Sequence, residues 1–168
     1  PSNIQERFSE EQISNITNYL HSLNLEQIQD YITKASEGKI YDYMVDVINS
    51  GNTSNRVDRD TIKTMILIVF FSSNRYFHQI DAKLKRIFNQ HFPAIYKLIR
   101  LTKSNHKSDL ACLLQSIESE IILHRCCRRI WEEGYHQVPV FTIHDSICTI
   151  IENEELVKKI MVQELTCT

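Results

Sequence analysis

The 168-residue chain is poor in the residues that punctuate many-stranded sheets, with three glycines, three prolines and one tryptophan. So few turn-formers argue against a sandwich or barrel, and the abundance of Leu, Ile, Glu, Gln and Lys favours helices. No apolar run approaches the roughly 18 residues of a membrane span. The stretch Pro1-Ser2-Asn3-Ile4-Gln5 has neither a basic nor an apolar signal region, so a soluble, cytoplasmic protein without a membrane partner is expected. The five cysteines, Cys112, Cys126, Cys127, Cys148 and Cys167, are odd in number and form no CxxC pair. Reduced thiols are therefore expected rather than a zinc clasp or a disulfide framework. A dominant charge is lacking as well, since the net charge of -2 leaves no basic footprint over the whole chain.

What the chain does have is 42% hydrophobic content, enough for a real core in one compact domain or in part of a larger one. Its charge is unevenly spread: Arg75, Lys83, Lys85, Arg86, Lys97, Arg100, Lys103 and Lys107 meet a single acid, Asp81, while acids gather towards the two ends. That basic middle third fits a solvated helical face or a phosphate-backbone surface equally well.

Helix signals are legible along the chain. Ser9 with Gln12 and Asn24 with Gln27 have capping-box spacing before amphipathic runs, which predicts helices over 10–22 and 25–36. Gly38 ends the second, and Ile40, Tyr43, Met44, Val47 and Ile48 carry a third helix to Ser50, followed by a loop at Gly51-Asn52-Thr53-Ser54-Asn55. A fourth helix over 56–72 starts polar and ends apolar. Further helices are predicted over 75–90, 94–104 after Phe92-Pro93, and 108–133, closed by Gly134. From Val138 the pattern changes to β-branched and aromatic residues, so 138–143 and 146–151 read as a β-hairpin about His144-Asp145, with a last helix over 156–165 after Asn153. The expected fold is mostly α with a small antiparallel hairpin, an α+β class. It reads as a single unit whose pattern changes near 55 and 134, giving a helical N-terminal part, a middle set of helices and a terminal hairpin with its helix.

Two places offer chemistry. Asp145 at a tight hairpin tip would expose its oxygens on a rigid support, as metal-dependent phosphoryl transfer requires, although Asp is also a common turn residue. On the fourth helix Arg59 and Lys63 lie four apart, one face of two cations, with Phe70 and Phe71 about two turns beyond Lys63. Such a surface suits a nucleoside triphosphate: cations for the phosphates, a ring for the base or sugar.

Taken in order, Arg59, Lys63 and Phe71, then Phe92-Pro93, then Gln115 within Leu114-Gln115-Ser116-Ile117-Glu118-Ser119, then His144-Asp145-Ser146, the chain resembles the family A polymerases, both DNA polymerase I and the single-subunit phage-type RNA polymerases. Glu37-Gly38-Lys39-Ile40-Tyr41 resembles the short glycine turn upstream of that family's nucleotide helix, and the resemblance runs from about Leu25 to Leu165. It implies a fingers and palm portion of a template-directed nucleotidyltransferase, as in a phage, plasmid or other mobile element. By the resemblance Arg59 and Lys63 bind the incoming triphosphate and Phe71 sits at the nucleotide and template site. Gln115 contacts nucleic acid near the primer end, His144 binds near the primer-terminal phosphate, and Asp145 holds catalytic Mg²⁺. The implied partners are a template and primer and nucleoside triphosphates; DNA is not distinguished from RNA, and the oligomeric state is open.

The pattern also departs from the family. Phe71 stands where the family has tyrosine and Ser72 where it has glycine, and the second metal-binding aspartate has no match. Ser2-Asn3-Ile4-Gln5 resembles the residues that follow that aspartate, with Gln5 at a position that screens the sugar; the missing carboxylate would then fall just before Pro1. A fragment or reduced relative is expected, with little or no polymerase activity by itself. Two other readings compete: a non-catalytic helical module that binds nucleic acid or protein, and a metal-dependent hydrolase using His144 and Asp145 with His136 or His124.

Overall fold

Asp58 accepts a hydrogen bond from the Thr61 backbone N–H at 2.8 Å, and Ser9 accepts one from Gln12 N–H at 3.2 Å. These caps decide where helices begin in the computed structural model, which describes residues 7–50, 56–79, 82–134 and 136–166. The loop expected at Gly51–Asn55 and the stretch Ser2-Asn3-Ile4-Gln5 lie outside the described residues. The helices are α1 (Glu10–Ser22), α2 (Glu26–Ser36), α3 (Ile40–Ser50), α4 (Arg59–Phe71), α5 (Lys83–His91), α6 (Pro93–Thr102), α7 (Asp109–Ser119), α8 (Cys127–Glu133) and α9 (Glu154–Thr166). Strands β1 (Val140–Ile143) and β2 (Ser146–Thr149) pair antiparallel. The protein is thus mostly helical with one small hairpin, as its sequence indicates. None of the described helices is long and apolar enough to cross a membrane.

The chain divides into two compact units, Pro1–Ala111 and Cys112–Thr168, with the division inside α7 and between the changes of sequence pattern near 55 and 134. In the first unit α3, α4, α5 and α6 each give one face to a shared core: Met44 and Ile48, Ile62, Ile66 and Val69, Leu84 and Phe88, Tyr96 and Ile99. Phe88 is fully buried, and Tyr31 of α2 meets Phe88 and Phe92 edge-on at 6.1 and 5.3 Å between ring centres. Such aromatic pairs add about 1 kcal/mol each beyond the area they bury. α1 is fixed to α6 by polar contacts: the Tyr19 hydroxyl donates to Ala94 O (3.1 Å) and the Gln12 amide to Thr102 O (2.7 Å).

The second unit packs Ile130, Val138, Val157 and Ile160 into one cluster and Ile121, Ile122 and Cys126 into another, with Ile147 and Met161 packed against both. Arg129 ties it at the surface by donating to Glu133, Gln163 and Glu164. The hydrogen bond from Arg129, and after it the nearby Arg125 guanidinium, hold the Glu164 carboxyl below its ordinary range. A side chain at Gly134 would strike the Val138 methyl and lie 2.7 Å from Ile130 O, so this glycine is needed for close approach.

Two expectations are corrected. The helix predicted over 75–90 starts only at Lys83, preceded by a 3₁₀ turn at Asn74–His78. Ser73 caps that turn by accepting from Arg75 N–H, and the Arg86 guanidinium donates to the carbonyls of Phe77 and Gln79, so these groups are satisfied without an α-helix. The helix predicted over 108–133 is interrupted by a π-helical stretch, Glu120–Cys126. Ile122, Cys126 and Ile130 recur every four residues and are all buried; an ordinary 3.6-residue turn lets that spacing drift around the axis, and wider turns counter the drift.

The C-terminal end of α4 is held by two buried lysines. Lys103 Nζ donates to Val69 O and Ser72 O at 3.1 and 3.0 Å, and Lys85 Nζ donates to Ser73 O at 2.7 Å. They complement the negative end of the helix dipole. Burial, and secondarily the Lys85 ammonium, pulls the Lys103 pKa down to about 8. The folded chain therefore gives up this proton before the unfolded chain does, whose lysines titrate near 10.4. Between about pH 8 and 10.4 the unfolded state holds more protons, so this group's contribution to stability rises with pH. Urea unfolding is expected to give wild type a stability gain, relative to Lys103→Met, on the order of 2 kcal/mol from pH 7.5 to 10; parallel pH profiles would contradict it.

Candidate functional site

The hairpin is closed in two residues. Val140 pairs with Thr149, Phe141 with Cys148, Thr142 with Ile147 and Ile143 with Ser146, leaving His144 and Asp145 as the turn. A two-residue connection matches the right-handed twist of its strands only if the chain enters the left-handed region, and His144 does so at φ 53°. For a residue with a side chain that costs on the order of 1 kcal/mol. The strands are shorter than 138–143 and 146–151: Pro139 has no N–H to offer the ladder, and Ile151 opens a 3₁₀ turn, Ile151–Asn153. Val140 and Ile147 pack inward, whereas Phe141 and Ile143 on the other face are exposed, so the hairpin is anchored on one side.

His144 and Asp145 are both exposed at the tip. Asp145 lines a hollow of about 430 Å³ together with Leu114, Ile117, Glu118, Ile121, Ile122, Met161 and Leu165. Its walls are apolar apart from two carboxylates, Asp145 and Glu118. Glu118 carries no motif of its own in the sequence; it lies about one helical turn beyond Gln115 on α7. Gln115 itself is exposed and does not line the hollow.

Arg59, Lys63 and Phe71 lie in the other compact unit, on α4. The helix buries Ile62, Ile66 and Val69, while Arg59, Lys63, Leu67 and Phe71 are exposed at four-residue steps, a stripe that winds slowly about the axis. Arg59 already has partners: its Nε donates to Asp42 Oδ1 at 3.1 Å, and the guanidinium lies 5.2 Å from the centre of the Tyr41 ring. The upstream glycine turn is present, with Gly38 at φ 69° and Lys39 N–H donating to Lys34 O at 2.8 Å, a left-handed helix cap.

No group of three His, Cys, Asp or Glu side chains that could hold a metal ion occurs among the described residues. Of the histidines a hydrolase would recruit, His136 is stacked on Trp131 at 4.7 Å between ring centres. Cys112, Cys126, Cys127 and Cys148 are free thiols, and burial raises the pKa of Cys126 and Cys127, which makes them poor nucleophiles. For Mg²⁺ the donors fit as a partial set, because that ion commonly takes one or two carboxylates and completes its shell with water and substrate phosphates. Comparison with protein-family models, with curated proteins and with solved structures gives no match.

The turn can be tested apart from any activity. His144→Gly, which removes the side-chain penalty at a positive φ, is expected to leave thermal stability unchanged or raise it by up to about 1 kcal/mol, and His144→Val to lower it by about 1–2 kcal/mol. Equal effects of the two changes would mean that the left-handed turn is not what closes the hairpin.

Proposed function

We propose that this chain carries the nucleotide-binding helix and catalytic hairpin of a template-directed nucleotidyltransferase similar to the family A polymerases. The observation that carries the reading is the hairpin tip: a carboxylate at Asp145, exposed by a two-residue turn, on the wall of a hollow that also holds Glu118. The exposed cations and ring of α4 support it, since a triphosphate needs charge-assisted donors and a base needs a flat partner.

In this reading Lys63 binds the triphosphate and Arg59 joins it once released from Asp42. Phe71 lies against the base or sugar; the absence of a hydroxyl on its ring leaves stacking intact. Gln115 contacts nucleic acid near the primer end and His144 holds the primer-terminal phosphate. Asp145 would hold Mg²⁺, with Glu118 as a second oxygen donor; the ion's contribution is to neutralise charge on the transferred phosphoryl group. Lacking a match to the family's other aspartate, the 168-residue chain alone is expected to give little or no primer extension. A non-catalytic binding module is the second reading, favoured by the pairing of Arg59 with Asp42.

Titration with a fluorescent nucleoside triphosphate in Mg²⁺ tests the proposal. Lys63→Ala is expected to weaken binding about tenfold or more, the loss of one charge-assisted contact. Arg59→Ala should cost less, because its guanidinium must first leave Asp42. Undetectable binding, or binding indifferent to Lys63, would refute the reading.

A further inference from the structure

Two hollows lie along the exposed side of α6. They share Lys97 as one groove: the first, of about 440 Å³, is lined by Asn74, Lys97, Arg100, Leu101 and Ser104, and the other, of about 490 Å³, by Tyr19, Ser22, Gln27, Pro93, Ala94 and Lys97. None of these lining residues is an acid, in a chain whose 21 Asp and Glu outnumber its 19 Lys and Arg. The groove is instead furnished with hydroxyls, amides and two cations.

Negative charge from the backbone is also covered there. The last carbonyls of a helix ordinarily repel an anion, but Asn74 Nδ2 donates to Arg100 O and Lys103 O, both at 3.0 Å. Beneath it, the buried ammonium groups of Lys103 and Lys85 neutralise the carbonyls of Val69, Ser72 and Ser73. Lys97 sits 4.4 Å from the centre of the Tyr19 ring, which holds its ammonium over the groove's middle with no acid partner among the described residues, and Arg100 likewise has none. From Pro93 to Thr102 the helical rise gives about 13.5 Å, the axial length of roughly four nucleotides of a duplex strand.

We propose that this groove binds the sugar–phosphate backbone of nucleic acid, Lys97 and Arg100 contacting phosphates and Ser104 and Gln27 donating to phosphate or sugar oxygens. Contacts of this kind position a strand without reading its sequence. The inference rests on the part of the functional reading that makes nucleic acid the partner, and it needs no chemistry, so failure of the catalytic reading would leave it standing.

The test is fluorescence anisotropy of a labelled single-stranded DNA of mixed sequence with the full chain, over a series of KCl concentrations. The double variant Lys97→Ala/Arg100→Ala is expected to bind roughly tenfold more weakly at low salt and to flatten the dependence of log K on log salt by about one unit per lost phosphate contact. Lys158→Ala/Lys159→Ala, an equal change of charge at exposed positions of the other unit, should change neither quantity appreciably. The charge-preserving Lys97→Arg/Arg100→Lys should bind as wild type, which separates lost charge from lost folding. Equal losses in the two alanine pairs would reduce the effect to bulk charge and overturn the proposal. Binding to phosphatidylserine vesicles with none to DNA would overturn it by assigning the groove to a membrane surface.

Discussion

The left-handed backbone at His144 is the constraint on which the candidate site depends. Strands that twist right-handedly can be joined by two residues only through a positive φ, and here a histidine rather than a glycine accepts that conformation. The register that results places Ile143 opposite Ser146 and leaves Asp145 at the tip. A longer turn would let the carboxylate swing, and a slip of one residue would carry Ile147 from the packed face to the exposed one. Packing of Val140 and Ile147 against Ile130, Val157 and Ile160 opposes the strain of the turn and fixes the hairpin's inner face.

α4 shows how the same economy of residues serves two demands. Its buried face of Ile62, Ile66 and Val69 joins the core of the first unit, so the helix cannot rotate without opening that core. Its exposed stripe is thereby set, Lys103 holds the carbonyls of Val69 and Ser72 at its C-terminal end, and Lys85 holds that of Ser73 just beyond. Two buried cations with no acid beside them among the described residues would be costly alone; each lysine instead donates to backbone carbonyls at or just beyond the helix end, where partial negative charge is concentrated.

Much of the fold was legible because the chain marks its helix ends locally: Ser9, Pro93, Gly38 and Gly134 act within a few residues of themselves, and each has the role its position suggests. What failed to show was settled at longer range. The 3₁₀ turn at Asn74–His78 depends on Arg86 reaching back to Phe77 and Gln79, and the π-helical stretch depends on a buried face shared with other elements of its unit. At the site, the hairpin and its tip were readable from alternating β-branched residues around His144-Asp145. Glu118 was not, since a glutamate on a helix surface has no local mark that distinguishes it from a solvated charge. Asp42 was hidden for the same reason: its contact to Arg59 spans 17 residues and two helices.

The proposed function makes Asp145, presented by this turn, a metal-binding carboxylate in a hollow that Glu118 also lines. Paramagnetic broadening of backbone amide signals on titration with Mn²⁺ tests it most directly. Selective loss of signals from Ile143 to Ile147 and around Glu118, abolished by Asp145→Asn, is expected. Broadening centred elsewhere, or broadening that survives Asp145→Asn, would contradict it.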